Sequence, residues 1–234
     1  MYPYYEQFRA LIERLAVNPR LQLLRQQFVF PNRSLADMTR MAHSIERAYG
    51  FILPEDDWQL YHMPGITDIA WITRPEVPLL QDNESPSGCL TMLNLGVSLD
   101  EVEFHLYDTN PDYEPFAGCS YLETGGAESW DYRTFLRYDQ AQRQLLGVAL
   151  FDRPDVLPMT TSLGEYMRAA LAWHGAYGWQ FLYLPLLVFQ QLPPVTRQKV
   201  YDLPRILPEL FPDADWSIIA TKREYFDTEH TLNS

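Results

Sequence analysis

The feature that most constrains this chain is a change in its hydrophobic period. Up to Tyr49 the apolar residues recur at helical spacing, beyond Pro64-Gly65 they come in short β-rich runs, and after Ser162 helical spacing returns. Tyr5, Phe8, Leu11, Ile12 and Leu15 make one stripe, which Asn18-Pro19 ends. Leu21, Leu24 and Phe28 read as a second short helix, stopped by Pro31. Ser34 with Asp37 three residues on is the capping signal of a third helix. Along it Leu35, Met38, Ala42, Ile45 and Tyr49 share a face, and Gly50 supplies the stop. Pro54 followed by Glu55-Asp56-Asp57 opens one more, with its acids placed favourably against the helix dipole.

The middle reads as strands. Asp68–Arg74, Leu90–Leu95 and Val102–Tyr107 are β-rich runs separated by Pro, Asn, Gly and Asp clusters. Tyr132–Tyr138 and Leu145–Phe151 are two more, joined by a hairpin-length connection. Val102, Phe104 and Leu106 alternate with Glu101, Glu103 and His105, which predicts a sheet with one wet face. Ser162-Leu163-Gly164-Glu165 is a capping box, and the stripe Leu163, Tyr166, Met167, Ala170 and Leu171 follows it. Successive strands without intervening helices favour an α+β fold: N-terminal helices, a mostly antiparallel twisted sheet and a closing helix. Residues 173–234 add a C-terminal extension, with a helix over Thr196–Leu210 interrupted or bounded by Pro204 and Pro208. Trp216–Ala220 reads as an edge strand, and Trp173, Tyr177, Trp179, Phe181 and Tyr183 as core or subunit interface.

Charge is where composition becomes informative. The chain has 234 residues, 47% of them hydrophobic, and a formal net charge of −13, which suits one globular domain with ample apolar mass. The excess acid is not spread evenly. Residues 1–50 hold seven arginines and four acids, and residues 131–234 hold ten cations and twelve acids. Residues 51–130 hold fifteen acids and a single cation, Arg74. Such a surface repels phosphate, so nucleic acid is not expected as a partner. One reading is a solvated acidic face that keeps the protein soluble. The other is a landing surface for a basic protein, since complementary charge speeds encounter and suppresses wrong partners. The candidate contact residues are then Asp56, Asp57, Glu101, Glu103, Asp108, Asp112, Glu114, Glu123 and Glu128.

Catalytic patterns are weak. Gly125-Gly126 lacks the frame of a phosphate-binding loop, and no G-x-S-x-G elbow occurs. The five histidines never fall at H-x-x-x-H or H-x-H spacing, and Cys89 and Cys119 lie 30 residues apart without a C-x-x-C partner. Two buried, reduced thiols are the expectation, with no cofactor and no metal. Asp108-Thr109-Asn110-Pro111-Asp112 reads as a turn in preference to a calcium loop. A metal-dependent hydrolase using Glu123, Glu128, Asp131 or His105 remains the enzyme alternative. The N-terminus carries neither the basic nor the apolar region of a signal peptide, and the longest apolar run, Trp179–Phe189, is eleven residues. A cytoplasmic protein without a membrane span is expected.

Ile45-Glu46-Arg47-Ala48-Tyr49-Gly50-Phe51-Ile52-Leu53-Pro54-Glu55-Asp56-Asp57-Trp58-Gln59-Leu60-Tyr61 resembles the opening of the SUKH superfamily of Smi/Knr-type proteins. Gly126–Tyr132 ahead of Phe135–Asp139 is similar to that family's mid-sheet hairpin, and Leu157–Met167 to its serine-capped closing helix. The three blocks occur in the family's order, although Met63-Pro64-Gly65 replaces its Asn-Gly and the insertion through 75–115 is long. The resemblance covers residues 33–172 as a SUKH-like core. By their own spacing residues 1–32 read as N-terminal helices before it, and 173–234, which has no counterpart in the family, as an extension packed on it. The resemblance also implies a protein that acts by binding. Bacterial members are commonly immunity proteins that neutralise a cognate toxin, often a nuclease or deaminase. An acidic face would compete for a cleft built to attract phosphate. An adaptor or regulatory module of the same fold is the alternative.

Overall fold

Among the described residues seven strands pair antiparallel in chain order, so each finds its ladder partner next to it in that order. They are β1 (Leu21–Val29), β2 (Ile66–Thr73), β3 (Ser87–Leu93), β4 (Cys119–Gly125), β5 (Tyr132–Asp139), β6 (Gln144–Asp152) and β7 (Asp155–Pro158). The computed structural model describes residues 3–29, 36, 39–40, 43, 46–47, 66–74, 87–93, 119–125, 132–139, 141–142, 144–152 and 155–226. Helix α1 (Pro3–Val17) precedes the sheet and α2 (Leu163–Ala172) closes it. A 3-10 turn (Trp179–Tyr183) and helices α3 (Leu186–Gln191), α4 (Pro194–Leu210), α5 (Ser217–Thr221) and α6 (Arg223–Phe226) follow. The fold is α+β. No helix among the described residues is long and apolar enough to cross a membrane.

Local chemistry explains most of these elements. The predicted stripe of α1 buries Phe8, Leu11, Ile12 and Leu15 against β1 and α2. Ala36, Thr39, Arg40, His43, Glu46 and Arg47 are helical, in keeping with the third predicted helix. The hairpin β5–β6 turns where its spacing suggested, with Asp139 opposite Gln144 and the Asp139 carboxylate accepting from the Gln142 N–H at 2.9 Å. Helix α2 opens on the expected capping box, Ser162 and Glu165 each accepting from the other's backbone N–H. Val102–Tyr107 and the helix at Pro54 lie outside the described residues.

Three expectations are overturned. The stretch 21–29 is strand β1, so 1–32 is not an all-helical unit. Its nine residues sit between Pro19 and Pro31, too short to sustain a helix without tertiary help, whereas β2 offers a full ladder from Leu21 opposite Thr73 to Val29 opposite Ile66. A bulge between Leu23 and Arg25 extrudes Leu24, and that extra residue disguised the alternation as helical spacing. Trp216–Ala220 is also not a strand, because Ser217–Thr221 is helical. The Asp215 carboxylate accepts from the Ser217 N–H at 2.9 Å, an Asx turn that starts the helix despite Ile218-Ile219. Finally, among the described residues the sheet has no uniformly wet face, although Val102–Tyr107, whose alternation suggested one, lies outside them. Ile69-Ala70-Trp71 and Val148-Ala149-Leu150 are buried at every position, the mark of strands covered on both sides.

Helix α4 also runs without a break through Pro204 and Pro208. The two prolines stand four apart on a half-exposed side, while Leu203, Ile206, Leu207 and Leu210 are buried. The last carbonyls of α4 are taken up by the turn after α1. Asn18 Nδ2 donates to the Leu210 carbonyl at 2.8 Å, and Arg20 Nη1 to that of Glu209. Residues almost two hundred positions apart thereby satisfy a helix end that would otherwise be orphaned. One buried cluster links α1, the sheet, α2 and α4, from Phe8 through Trp71 and Tyr166 to Leu207.

Candidate functional site

Of the nine acids expected to meet a partner, Glu123 has a described backbone, which lies in β4 opposite Met92 and Thr134. Asp56, Asp57, Glu101, Glu103, Asp108, Asp112, Glu114 and Glu128 lie outside the described residues, as do His105 and Asp131 of the hydrolase alternative. Two features of the acidic segment are visible. Arg74, its single cation, is tied to the start of β1: its backbone N–H donates to the Arg20 carbonyl and its Nε to the Leu21 carbonyl, both at 2.9 Å. Asp68 is neutralised from outside the segment by Arg25, at 3.3 Å, and accepts from Thr91 Oγ1 at 2.8 Å. The buried thiol of Cys89 touches both Arg25 Nη2 and Thr91 Oγ1 at 3.4 Å. The ladder places these four side chains on one face of β1–β3. Sequence offered no sign of the Arg25–Asp68 pair, because Arg25 was read as helical.

A second constellation forms where α2 ends. His174 has φ +55° and Gly175 φ +65°, so two successive left-handed residues reverse the chain. Residues 175–177 then lie antiparallel to β3, with the Cys89 N–H donating to Gly175 O at 2.8 Å and the Tyr177 N–H to Ser87 O at 2.9 Å. They take the place beside Ser87–Cys89 that a fourth strand would fill, since β4 meets β3 at Thr91 and Met92. Gly88 is required there. A Cβ on it would fall 2.3 Å from the Trp71 indole. That indole in turn donates to the His174 carbonyl at 2.9 Å.

The His174 ring is buried and its protonation state follows from its partners. Nδ1 donates to the Ala172 carbonyl at 2.9 Å, which leaves the Nε2 lone pair to accept from Arg14 Nη1 at 3.3 Å. The ring stacks on Phe211 at 4.4 Å and lies 5.3 Å from Trp216. Burial lowers its pKa to about 4; the Ala172 bond opposes the shift and the Arg14 charge adds to it. His174 is thus a neutral core residue.

The third constellation surrounds Lys222. Its Nζ sits 3.7 Å from the centroid of the Tyr183 ring and 5.5 Å from that of Tyr225. Burial lowers its pKa, against attraction to Glu224 and Glu165. Burial likewise raises the pKa of both Tyr183 and Tyr225. The aromatic residues Trp173, Trp179, Phe181 and Tyr183 are buried, as a core assignment requires, and Tyr177 is half-buried. Among the described residues no group of three or more His, Cys, Asp or Glu side chains is placed to hold a metal ion. Searches against protein-family models, curated proteins and solved structures give no match to this chain.

Proposed function

We propose that this chain is a cytoplasmic immunity protein, which neutralises a cognate protein toxin by binding it and carries out no catalysis of its own. The observation that carries the reading is the concentration of fifteen acids against one cation over residues 51–130. The local context strengthens it, because Arg74 is bonded to the backbone of β1 and Arg25, from the basic flank, is engaged with Asp68. The order of elements supports the SUKH-like reading: helical residues 36, 39–40, 43 and 46–47, then strands β2 to β7 of an antiparallel sheet, then a Ser162-capped helix. On this reading Asp56, Asp57, Glu101, Glu103, Asp108, Asp112, Glu114, Glu123 and Glu128 face the toxin. The toxin is a nuclease or deaminase whose cleft attracts phosphate.

Co-expression with the toxin encoded beside this gene tests the proposal. Protection of the host is expected, together with an association rate that falls steeply between about 50 and 500 mM salt. Charge reversal at Glu101, Glu103, Asp108 and Asp112 together is expected to slow association by at least about tenfold while leaving the protein folded. Absence of both binding and protection would sink the reading. Binding with no salt dependence would remove its electrostatic basis.

A further inference from the structure

Most of the large exposed apolar side chains stand singly. Leu24 and Leu146 are the extra residues of the bulges in β1 and β6, and Val17 ends α1. Leu187, 73% exposed, and Val195, 63% exposed, differ, because both belong to one long uncharged stretch. From Ala169 to Thr196 the chain runs 28 residues without an Asp, Glu, Lys or Arg. Within it residues 173–184 are buried, apart from the half-buried Tyr177, so what the stretch exposes is α3 and the entry to α4. Leu186, Leu187, Val188 and Phe189 step round α3 by about 100° each, which makes the helix apolar on every side. Phe189 takes the inward place, 6.0 Å from the Tyr201 ring and 5.3 Å from that of Tyr225. Leu187, two residues before it, points away from the core. Pro193, Pro194 and Val195 follow, all exposed.

We propose that the outer side of α3, with Pro193, Pro194 and Val195, is the interface through which two copies of this chain associate about a twofold axis. Charge selects the occupant. Each copy carries −13, so a second copy associates most readily where acid does not meet acid, and this stretch supplies none. A twofold interface sets one patch against itself, and an uncharged apolar patch is complementary to its own copy. A basic protein finds nothing here to steer it and is drawn instead to residues 51–130. An anionic lipid surface repels a chain of this charge, and the stretch holds no Lys or Arg to anchor it.

Sedimentation velocity of the full-length protein, from about 1 to about 200 µM and in about 50 and about 500 mM salt, tests the interface. A concentration-dependent dimer is expected. Salt should strengthen it, because screening weakens the repulsion between copies and leaves apolar burial intact. Toxin binding through the acidic segment has the opposite salt dependence, so failure of one does not mimic failure of the other. Leu187 and Val195 each stand second in their helix, where the dipole favours an acid. Leu187→Glu with Val195→Glu should therefore stay folded, with a wild-type urea midpoint, and be monomeric throughout. Leu187→Ser with Val195→Ser adds no charge and should weaken association by at least about tenfold. A monomer at every concentration and salt overturns the proposal. A dimer that both double variants leave intact has its interface elsewhere and overturns it as well. Flotation of the wild type, but not of the double Glu variant, with phosphatidylserine-containing vesicles would assign the face to a membrane and overturn it too.

Discussion

The turn at 173–178 and the segment 212–226 both cross the same core without forming a ladder strand, yet they are fastened by different means. The turn is bonded by its backbone to Ser87 and Cys89, shaped by left-handed residues, and lined by Trp71 and His174. The segment rests on side chains: Trp216 beside the His174 ring, Lys222 on Tyr183, and the Tyr225 hydroxyl on Leu184. Backbone bonds and buried volume are nearly blind to salt and modification. A cation on a ring and a side-chain hydroxyl bond are not. Damage to the turn should therefore unfold the whole protein, and damage to the segment should open it alone.

The largest expected effect breaks the turn. Gly88→Ala places a methyl group 2.3 Å from the Trp71 indole, which is itself fully enclosed and bonded to the His174 carbonyl. Neither β2 nor the turn can withdraw without losing ladder bonds. A loss of about 3 kcal/mol or more is expected in urea unfolding, in one cooperative transition. A loss under about 1 kcal/mol would show that the turn is as loosely held as the segment.

Acid is the next probe, because it acts on the seam between the two regions. The His174 pKa is about 4 in the folded protein against an ordinary 6.5. Above pH 6.5 the ring is neutral in both states and stability is unaffected. As pH falls from about 6.5 to 4 the unfolded chain takes up a proton that the folded ring refuses, so stability drops, and it levels off below pH 4. At most about 3 kcal/mol is lost, since each pKa unit is worth about 1.4 kcal/mol. Protonation of Nε2 would also set a second cation 3.3 Å from Arg14. His174→Asn tolerates the left-handed backbone and removes the titration. Its stability should therefore fall less steeply than that of the wild type over the same pH range. Parallel curves would assign the acid sensitivity elsewhere.

What could be read in advance follows the same division between local and distant causes. Helices α1 and α2 and the β5–β6 hairpin were legible because stripe, cap and turn all lie within a dozen residues. Strand β1 was not, because its bulge at Leu24 hides the alternation and its pairing partner begins 37 residues after the strand ends. The brief strand β7 ends on Pro158 and gave no periodicity to read. The site divided likewise. The acidity of residues 51–130 is a property of sequence, whereas the Arg25–Asp68 pair, the His174 seam and the Lys222 cradle each join residues brought together by the fold. The sole local hint of the turn was Gly175 and Gly178 flanking an apolar run after a helix.

The smallest global effect should come from the segment. Tyr225→Phe keeps the buried ring against Phe189, at 5.3 Å, and deletes the hydroxyl that serves the Leu184 carbonyl. One hydrogen bond to a buried carbonyl is worth about 1 kcal/mol. That is little beside the clash at Gly88, so urea unfolding should shift by no more than this. Locally it is a larger share of what fastens the segment, whose other apolar contacts, Trp216, Ile218, Ile219 and Phe226, are partly buried. Amides of residues 217–226 should exchange at least about threefold faster, while those of Gly175–Tyr177 keep their wild-type protection. If both regions gain exchange together, the segment and the turn open as one unit, and the contrast between backbone fastening and side-chain fastening fails. Separate responses would mean that the Tyr225 hydroxyl helps fasten residues 217–226 without bearing on the turn beside β3.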